Sequence, residues 1–149
     1  MNIEIKRAQA SDVPEILALV KALALFEKAP EQVSVSAQDY LENGFGPNAL
    51  FESNLIYCEG QLAGFSLWYY RFSTWKGKRF YLEDLYIKEE YRGRGLGKRL
   101  LEEAIEEAKR KKCTGMMWQV LDWNEGAIGF YKTYGVRLDE GWINVHLDL

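Results

Sequence analysis

Two cysteines, one histidine and no excess of positive charge set the first limits on this chain of 149 residues. Cys58 and Cys113 stand 55 positions apart, which is no metal-ligand spacing. The reading is of a reduced, cytoplasmic protein whose two thiols pack in the core and whose chemistry uses no metal. The formal net charge of -3 and pI near 5.3 argue against general nucleic-acid binding and suit a small cationic partner better. No apolar run reaches the length of a membrane span, and Met1–Ala10 lacks a basic-then-apolar signal pattern. Neither a nucleic acid nor a membrane is therefore expected as a partner. His146 alternates with Val145 and Leu147 near the end, and a lone strand histidine of that kind is given no role.

What is present is ample for a core. Hydrophobic residues make up 48% and aromatics 14%, with 28% charged residues well mixed among them, which argues against disorder. The length fits one domain over residues 1–149. Ile3 and Ile5 alternate with charge in a first strand. A helix is expected from Asp12, with Pro14 in its first turn and Glu15 as its capping partner. A second helix is expected over Ser36–Asn43, stopped by Gly44. Leu55–Cys58 and Leu62–Tyr70 read as strands joined by a tight turn at Glu59-Gly60, and Phe80–Ile87 as another strand. Leu96, Leu100, Leu101, Ala104, Ile105 and Ala108 repeat at helical spacing. Thr114–Leu121 reads as a strand, Ala127–Tyr134 as a short helix closed by Gly135, and Trp142–Leu149 as a final strand. This order indicates a mixed α/β domain.

The most informative stretch is Tyr91–Lys98, where three glycines and two arginines stand between a strand and a helix. Backbone N–H groups at a helix start have no internal partners, and the helix dipole is positive there, so the arrangement suits a phosphate. Glycines let the backbone approach a bulky anion, and Arg92, Arg94 and Lys98 add charge. The spacing fits neither a P-loop nor a dinucleotide fingerprint. The plain alternative is a glycine-rich helix entry with solvated arginines.

The remaining pattern, Arg92-x-x-Gly95-x-Gly97, resembles the acyl-CoA pyrophosphate loop of the GNAT N-acetyltransferases. Tyr81–Ile87 (YLEDLYI), Trp123–Gly135 (WNEGAIGFYKTYG) and Glu140–Trp142 (EGW) are similar to the spermidine/spermine-type diamine acetyltransferase branch, as are Phe26–Val33 and Glu42–Gly46. The resemblance runs from the first strand to the last. It implies a single mixed, largely antiparallel sheet flanked by helices, acetyl-CoA as cosubstrate, and a homodimer. The chain departs from the branch in a short turn at Glu59–Gln61 and a short segment between Gly135 and Glu140, in loops that border the family's substrate region.

Acetyl transfer to an amine requires that an alkylammonium lose its proton, that the carbonyl oxygen be stabilised as charge develops, and that the thiolate leaving group gain a proton. By resemblance Tyr131 is the acid toward the coenzyme A sulfur; its plain alternative is a core ring. Glu83, mid-strand, is the candidate base through a water; its alternatives are a solvated position or a pairing with Arg79. A strand would place Glu83 and Asp84 on opposite faces. The resemblance assigns the pantetheine arm to the backbone of Leu85, Tyr86 and Ile87 and to Asn124, Glu125, Gly126 and Ala127, with Gly93, Leu96 and Gly97 completing the loop around the pyrophosphate. Asn124 is equally natural as a helix-start asparagine. For the amine site it implies Phe26, Glu27, Glu83, Met117, Trp118, Gln119, Glu140 and Trp142, with Glu31 and Asp84 behind them. Carboxylates attract a polycation and rings hold an alkylammonium.

The expected activity is acetylation of a primary amine on a small cation, first a polyamine or diamine. The rivals are thialysine or lysine, a protein amine, and a non-catalytic acyl-CoA-binding domain.

Overall fold

The structure, a computed structural model, describes residues Met1–Leu149. The chain divides into two compact units, Met1–Gln119 and Val120–Leu149. The first unit contains strand β1 (Ile3–Arg7), helices α1 (Val13–Phe26) and α2 (Ala37–Phe45), strands β2 (Glu52–Cys58), β3 (Gln61–Ser73) and β4 (Gly77–Ile87), helix α3 (Leu96–Arg110) and strand β5 (Gly115–Met117). The second contains helix α4 (Glu125–Lys132).

One sheet organises the first unit, in the order β1-β2-β3-β4-β5. The first four strands are antiparallel and β5 joins β4 in parallel. The mixed, largely antiparallel sheet is the one expected. The β2–β3 hairpin closes at Glu59 (φ 50°) and Gly60 (φ 76°). Two consecutive left-handed residues make a turn whose twist matches the strands. Glu59 holds that conformation by accepting from the Asn2 N–H at 2.7 Å and donating its own N–H to the Asn2 carbonyl at 2.8 Å.

Successive residues of a strand face opposite sides, and both sides of this sheet are covered. Leu55, Phe65, Leu67 and Tyr86 pack with Ile16 and Leu19 of α1, while Ile56, Cys58, Ala63 and Ile87 pack with Leu96 and Leu100 of α3. Each fully buried leucine contributes about 1.5–3 kcal/mol of apolar burial. Trp68 and Phe80 stack at 5.3 Å between ring centres within the buried sheet.

Several boundaries differ from the sequence reading. Helix α1 starts at Val13, and Asp12 accepts from the Gln9 N–H at 2.8 Å, so Glu15 is not its capping partner. Helix α2 passes through Gly44 and ends at Phe45, with Gly46 next. A glycine is needed at 44 because a Cβ there would enter the Phe51 ring. The strand expected over Thr114–Leu121 shortens to Gly115–Met117. The final strand expected over Trp142–Leu149 is absent: no strand pairs with it, and Ile143, Val145 and Leu147 stand exposed. Alternation alone does not make a strand without a ladder partner. Cys58 is buried as expected, whereas Cys113 is only partly so.

Candidate active site

The glycine turn follows β4 through one tight turn, Glu89–Tyr91. Gly93 and Gly95 adopt left-handed φ angles of 76° and 78°, and a Cβ on either would point into open space. The space belongs to the loop's outer surface, where an anion can approach the backbone. Gly95 is also the N-cap of α3, and no side chain caps that end. The first N–H groups of the helix are left for an external acceptor. Leu96 anchors the turn, fully buried.

The three cations of the turn are each placed differently. Arg92 donates from Nε to the Ile87 carbonyl at 2.9 Å, and its guanidinium lies over the rings of Phe26 (4.7 Å) and Tyr86 (5.5 Å). It ties the turn to the end of α1. Arg94 donates to the Glu90 carbonyl at 3.2 Å and lies over Tyr91. Lys98 pairs with Glu102 at 3.9 Å along the helix.

Beside the turn, β4 offers a backbone edge. Its pairing with β5 ends at Tyr81↔Met117. On the other side the antiparallel ladder with β3 continues, and Lys88 donates its N–H to the Ala63 carbonyl at 2.8 Å. Alternation from that bond points the backbone of Tyr86 toward β3 and the backbones of Leu85 and Ile87 away from it, to the edge that β5 leaves. The Ile87 carbonyl there is the one that Arg92 reaches.

The middle of β4 gathers acid. The register passes from Leu67↔Asp84 to Trp68↔Leu82, so Glu83 is the unopposed residue of a bulge. Bulges re-aim side chains. Glu83 is exposed and accepts from the Tyr69 hydroxyl at 3.3 Å. Burial, then the charges of Glu83 and Glu27, push the Asp84 carboxyl up to about 7. Burial also raises Glu27, at the end of α1. Burial, then Asp84 and Glu83, push the Tyr40 hydroxyl of α2 up to about 12. Two helices and one strand thus converge on three carboxyl groups. The bulge interrupts regular alternation at Glu83, and the charges of Glu83 and Asp84 both bear on Tyr40 and on Tyr81. Arg79 is not Glu83's partner; it donates to the Met116 carbonyl at 3.4 Å. Asp84 stands out more in the structure than in the sequence, where its neighbours across the sheet are not visible.

A cation borders this cluster. Tyr69 and Tyr81 stack at 5.0 Å, Arg71 lies over Tyr81 at 5.7 Å, and its Nη1 reaches the Met117 sulfur at 3.4 Å. Glu83 and Arg71 pull the Tyr69 and Tyr81 hydroxyls in opposite directions, after burial has raised both. Met117 is 43% exposed at the end of β5, followed by half-buried Trp118 and exposed Gln119. Glu31 sits exposed in the turn after α1.

In the second unit, Asn124 caps α4 by accepting from the Ala127 N–H at 3.2 Å. Glu125 and Gly126 form its exposed first turn. Tyr131 is half-buried, 5.4 Å from the Phe130 ring. Trp142 donates from Nε1 to Asp139 at 3.0 Å, and Glu140 is exposed beside it.

Residues 18–136 match the Acetyltransferase (GNAT) family. A thialysine N-epsilon-acetyltransferase of Sus scrofa is 36% identical over 152 residues, covering 95% of this chain and 89% of its own. A spermidine/spermine N(1)-acetyltransferase-like protein 1 of Homo sapiens is 35% identical over 93% of this chain and 21% of its own length. Among solved structures, an integron cassette protein from the mobile metagenome of V. cholerae superposes with a TM-score of 0.79 at 21% identity, over 99% of this chain and 93% of that one. At that identity the likeness is one of fold.

Proposed function

Because this chain belongs to the GNAT family of acetyltransferases, we propose that it works as one domain that moves the acetyl group of acetyl-CoA to the terminal primary amine of a small cationic substrate. The observation that carries the substrate side is the convergence of Glu27, Glu83 and Asp84, with Asp84 held near neutrality. Three carboxyl groups attract an alkylammonium, and one poised near 7 can accept its proton at neutral pH.

The donor side rests on the turn. The glycine backbone and the uncapped start of α3 receive the pyrophosphate, and the edge at Leu85 and Ile87 receives the pantetheine arm. The family resemblance also assigns Asn124 to Ala127 to the pantetheine arm. The cofactor supplies the activated thioester. Glu83, through a water, with Asp84 beside it, takes the ammonium proton. The amine nitrogen then attacks the carbonyl carbon, the C–N bond forms, the nitrogen gives its second proton to solvent and the C–S bond breaks. Tyr131 gives its hydroxyl proton to the departing sulfur, and solvent restores it. No covalent enzyme intermediate is required.

Two substrate types fit this class. A polyamine or diamine gains at several carboxylates at once. An amino acid with a side-chain amine, as in the thialysine acetyltransferases the chain resembles, is favoured by Arg71, a cation near the cluster that its carboxylate can meet. Thiol release from acetyl-CoA, measured against spermidine, putrescine, lysine, thialysine and a lysine-bearing peptide, ranks them. Release with a small amine supports the proposal, and release with the peptide alone overturns its substrate class.

A further inference from the structure

Tyr40 stands on α2 and packs against the cluster that holds Leu67 of β3 and Tyr86 of β4. Its ring meets Phe51 edge-on at 5.7 Å. Asp84 lies directly opposite Leu67 in the β3–β4 ladder and two residues before Tyr86 on its own strand. Opposite residues of an antiparallel pair share a face, and so do residues two apart. Both relations put Asp84 on the side of the sheet that α1 and α2 cover, which is the side where Tyr40 lies. Phe51 lines one cavity with Tyr69, and the Tyr69 hydroxyl donates to Glu83 at 3.3 Å. Tyr40 therefore belongs to the same group of side chains as the acids of β4, and the charges of Asp84 and Glu83 both act on its hydroxyl.

Packing accounts for the ring of Tyr40 and not for its hydroxyl. The side chain is half-buried, and its oxygen has no hydrogen-bond partner in the protein. A phenylalanine would keep the contacts with Phe51 and the cluster without desolvating a polar atom beside two acids. The carboxyl groups of Asp84 and Glu27 are likewise half-buried and form neither a hydrogen bond nor an ion pair. Unpartnered polar groups gathered in one place are the mark of a site that a ligand completes. We infer that Tyr40 is a substrate-binding residue of the amine site, its hydroxyl oxygen accepting one N–H of the substrate's ammonium. This rests on the acetyl transfer to a small amine proposed above. A primary ammonium carries three N–H donors. Asp84 takes one, the water on Glu83 takes another, and the Tyr40 oxygen takes the third. Burial, then Asp84 and Glu83, push the phenol up to about 12, so it stays neutral and supplies an acceptor without adding a charge to those already there.

Tyr40→Phe tests this, read against spermidine, putrescine, lysine and thialysine. For the amine that wild type acetylates, KM should rise about tenfold or more, the scale of one hydrogen bond to a charged group. The values of kcat and of KM for acetyl-CoA should hold within about twofold. Calorimetry of amine binding to the protein loaded with coenzyme A should show the same weakening with no turnover involved. Melting temperature should stay level or rise, because the variant loses a hydroxyl that has no partner. Unchanged KM and Kd for the amine overturn the inference. So does a fall in kcat at unchanged KM, which would give the hydroxyl a part in proton transfer instead. A lowered melting temperature with equal losses toward both substrates marks a packing role and overturns it too. Each of these three outcomes leaves acetyl transfer standing. A wild type that neither binds nor acetylates any amine of the panel overturns the proposed function, and this inference with it.

Discussion

Glu83 stands unopposed in the β4 bulge next to Asp84, and after burial its charge is the main influence that raises the Asp84 carboxyl to about 7. A pair of carboxyl groups with different environments can divide the work of holding a cation and accepting its proton.

The first prediction follows from that pair. Asp84 in the folded chain binds its proton more tightly than an unfolded aspartate, whose ordinary value is about 3.9. The folded state therefore holds more protons between about 4 and 7, and this group's contribution to stability declines as pH rises through that window. Asp84→Asn should flatten the decline, seen as a smaller fall in melting temperature from pH 5 to pH 8. It should also remove the rising limb of kcat/KM below about pH 7 and lower activity by about 10²-fold or more. A pH profile identical to wild type would remove Asp84 from proton transfer.

A second prediction concerns the turn. Gly95→Asp adds a charge beside the pyrophosphate path and a side chain at φ 78°. Coenzyme A should raise the melting temperature of wild type by binding the folded state and should no longer raise that of the variant. A folded variant that is still protected by coenzyme A would show that the ligand lies elsewhere.

Tyr131→Phe keeps the ring and removes the hydroxyl. Turnover should fall by about 10²–10⁴-fold with KM for the amine little changed. Melting curves should overlay those of wild type. Full turnover at saturating substrates would leave Tyr131 as packing against Phe130.

Arg71 separates the two substrate types. Arg71→Ala should raise KM for thialysine or lysine by about tenfold, the scale of one charge-assisted contact. It should leave spermidine unchanged or better bound. Equal effects on both would place the guanidinium outside the amine site.

Leu100→Ala should cost about 2–5 kcal/mol, since Leu100 is fully buried between α3 and the sheet. Denaturant unfolding reads this directly.

What the sequence disclosed was local. The period of Leu96, Leu100, Leu101 and Ala104 is a property of one helix, and Glu59-Gly60 defines its own turn; both hold in the structure. Gly93 and Gly95 read as backbone open to a bulky anion, and the structure holds both in the left-handed shape that glycine adopts at no steric cost. What was not legible depends on neighbours distant in the chain. Asp84's elevation comes first from burial, which only the fold supplies, and Glu27, 57 positions earlier, adds to it. The Glu83 bulge is set by the register between two strands. Gly44 reads as a helix stop until the Phe51 ring is seen against it. Arg92 reads as a phosphate ligand, and only the fold reveals its seat over Phe26 and Tyr86. The Trp142–Leu149 alternation is a strand pattern with no partner strand.

The most direct test of the central claim is mass analysis of the product formed from acetyl-CoA and a small primary amine, alongside measured thiol release. The account predicts amine-dependent thiol release, with one acetyl group on the amine for each thiol freed, in wild type and not in Gly95→Asp. Folded protein that binds coenzyme A yet yields no acetylated amine from spermidine, putrescine, lysine or thialysine would contradict it.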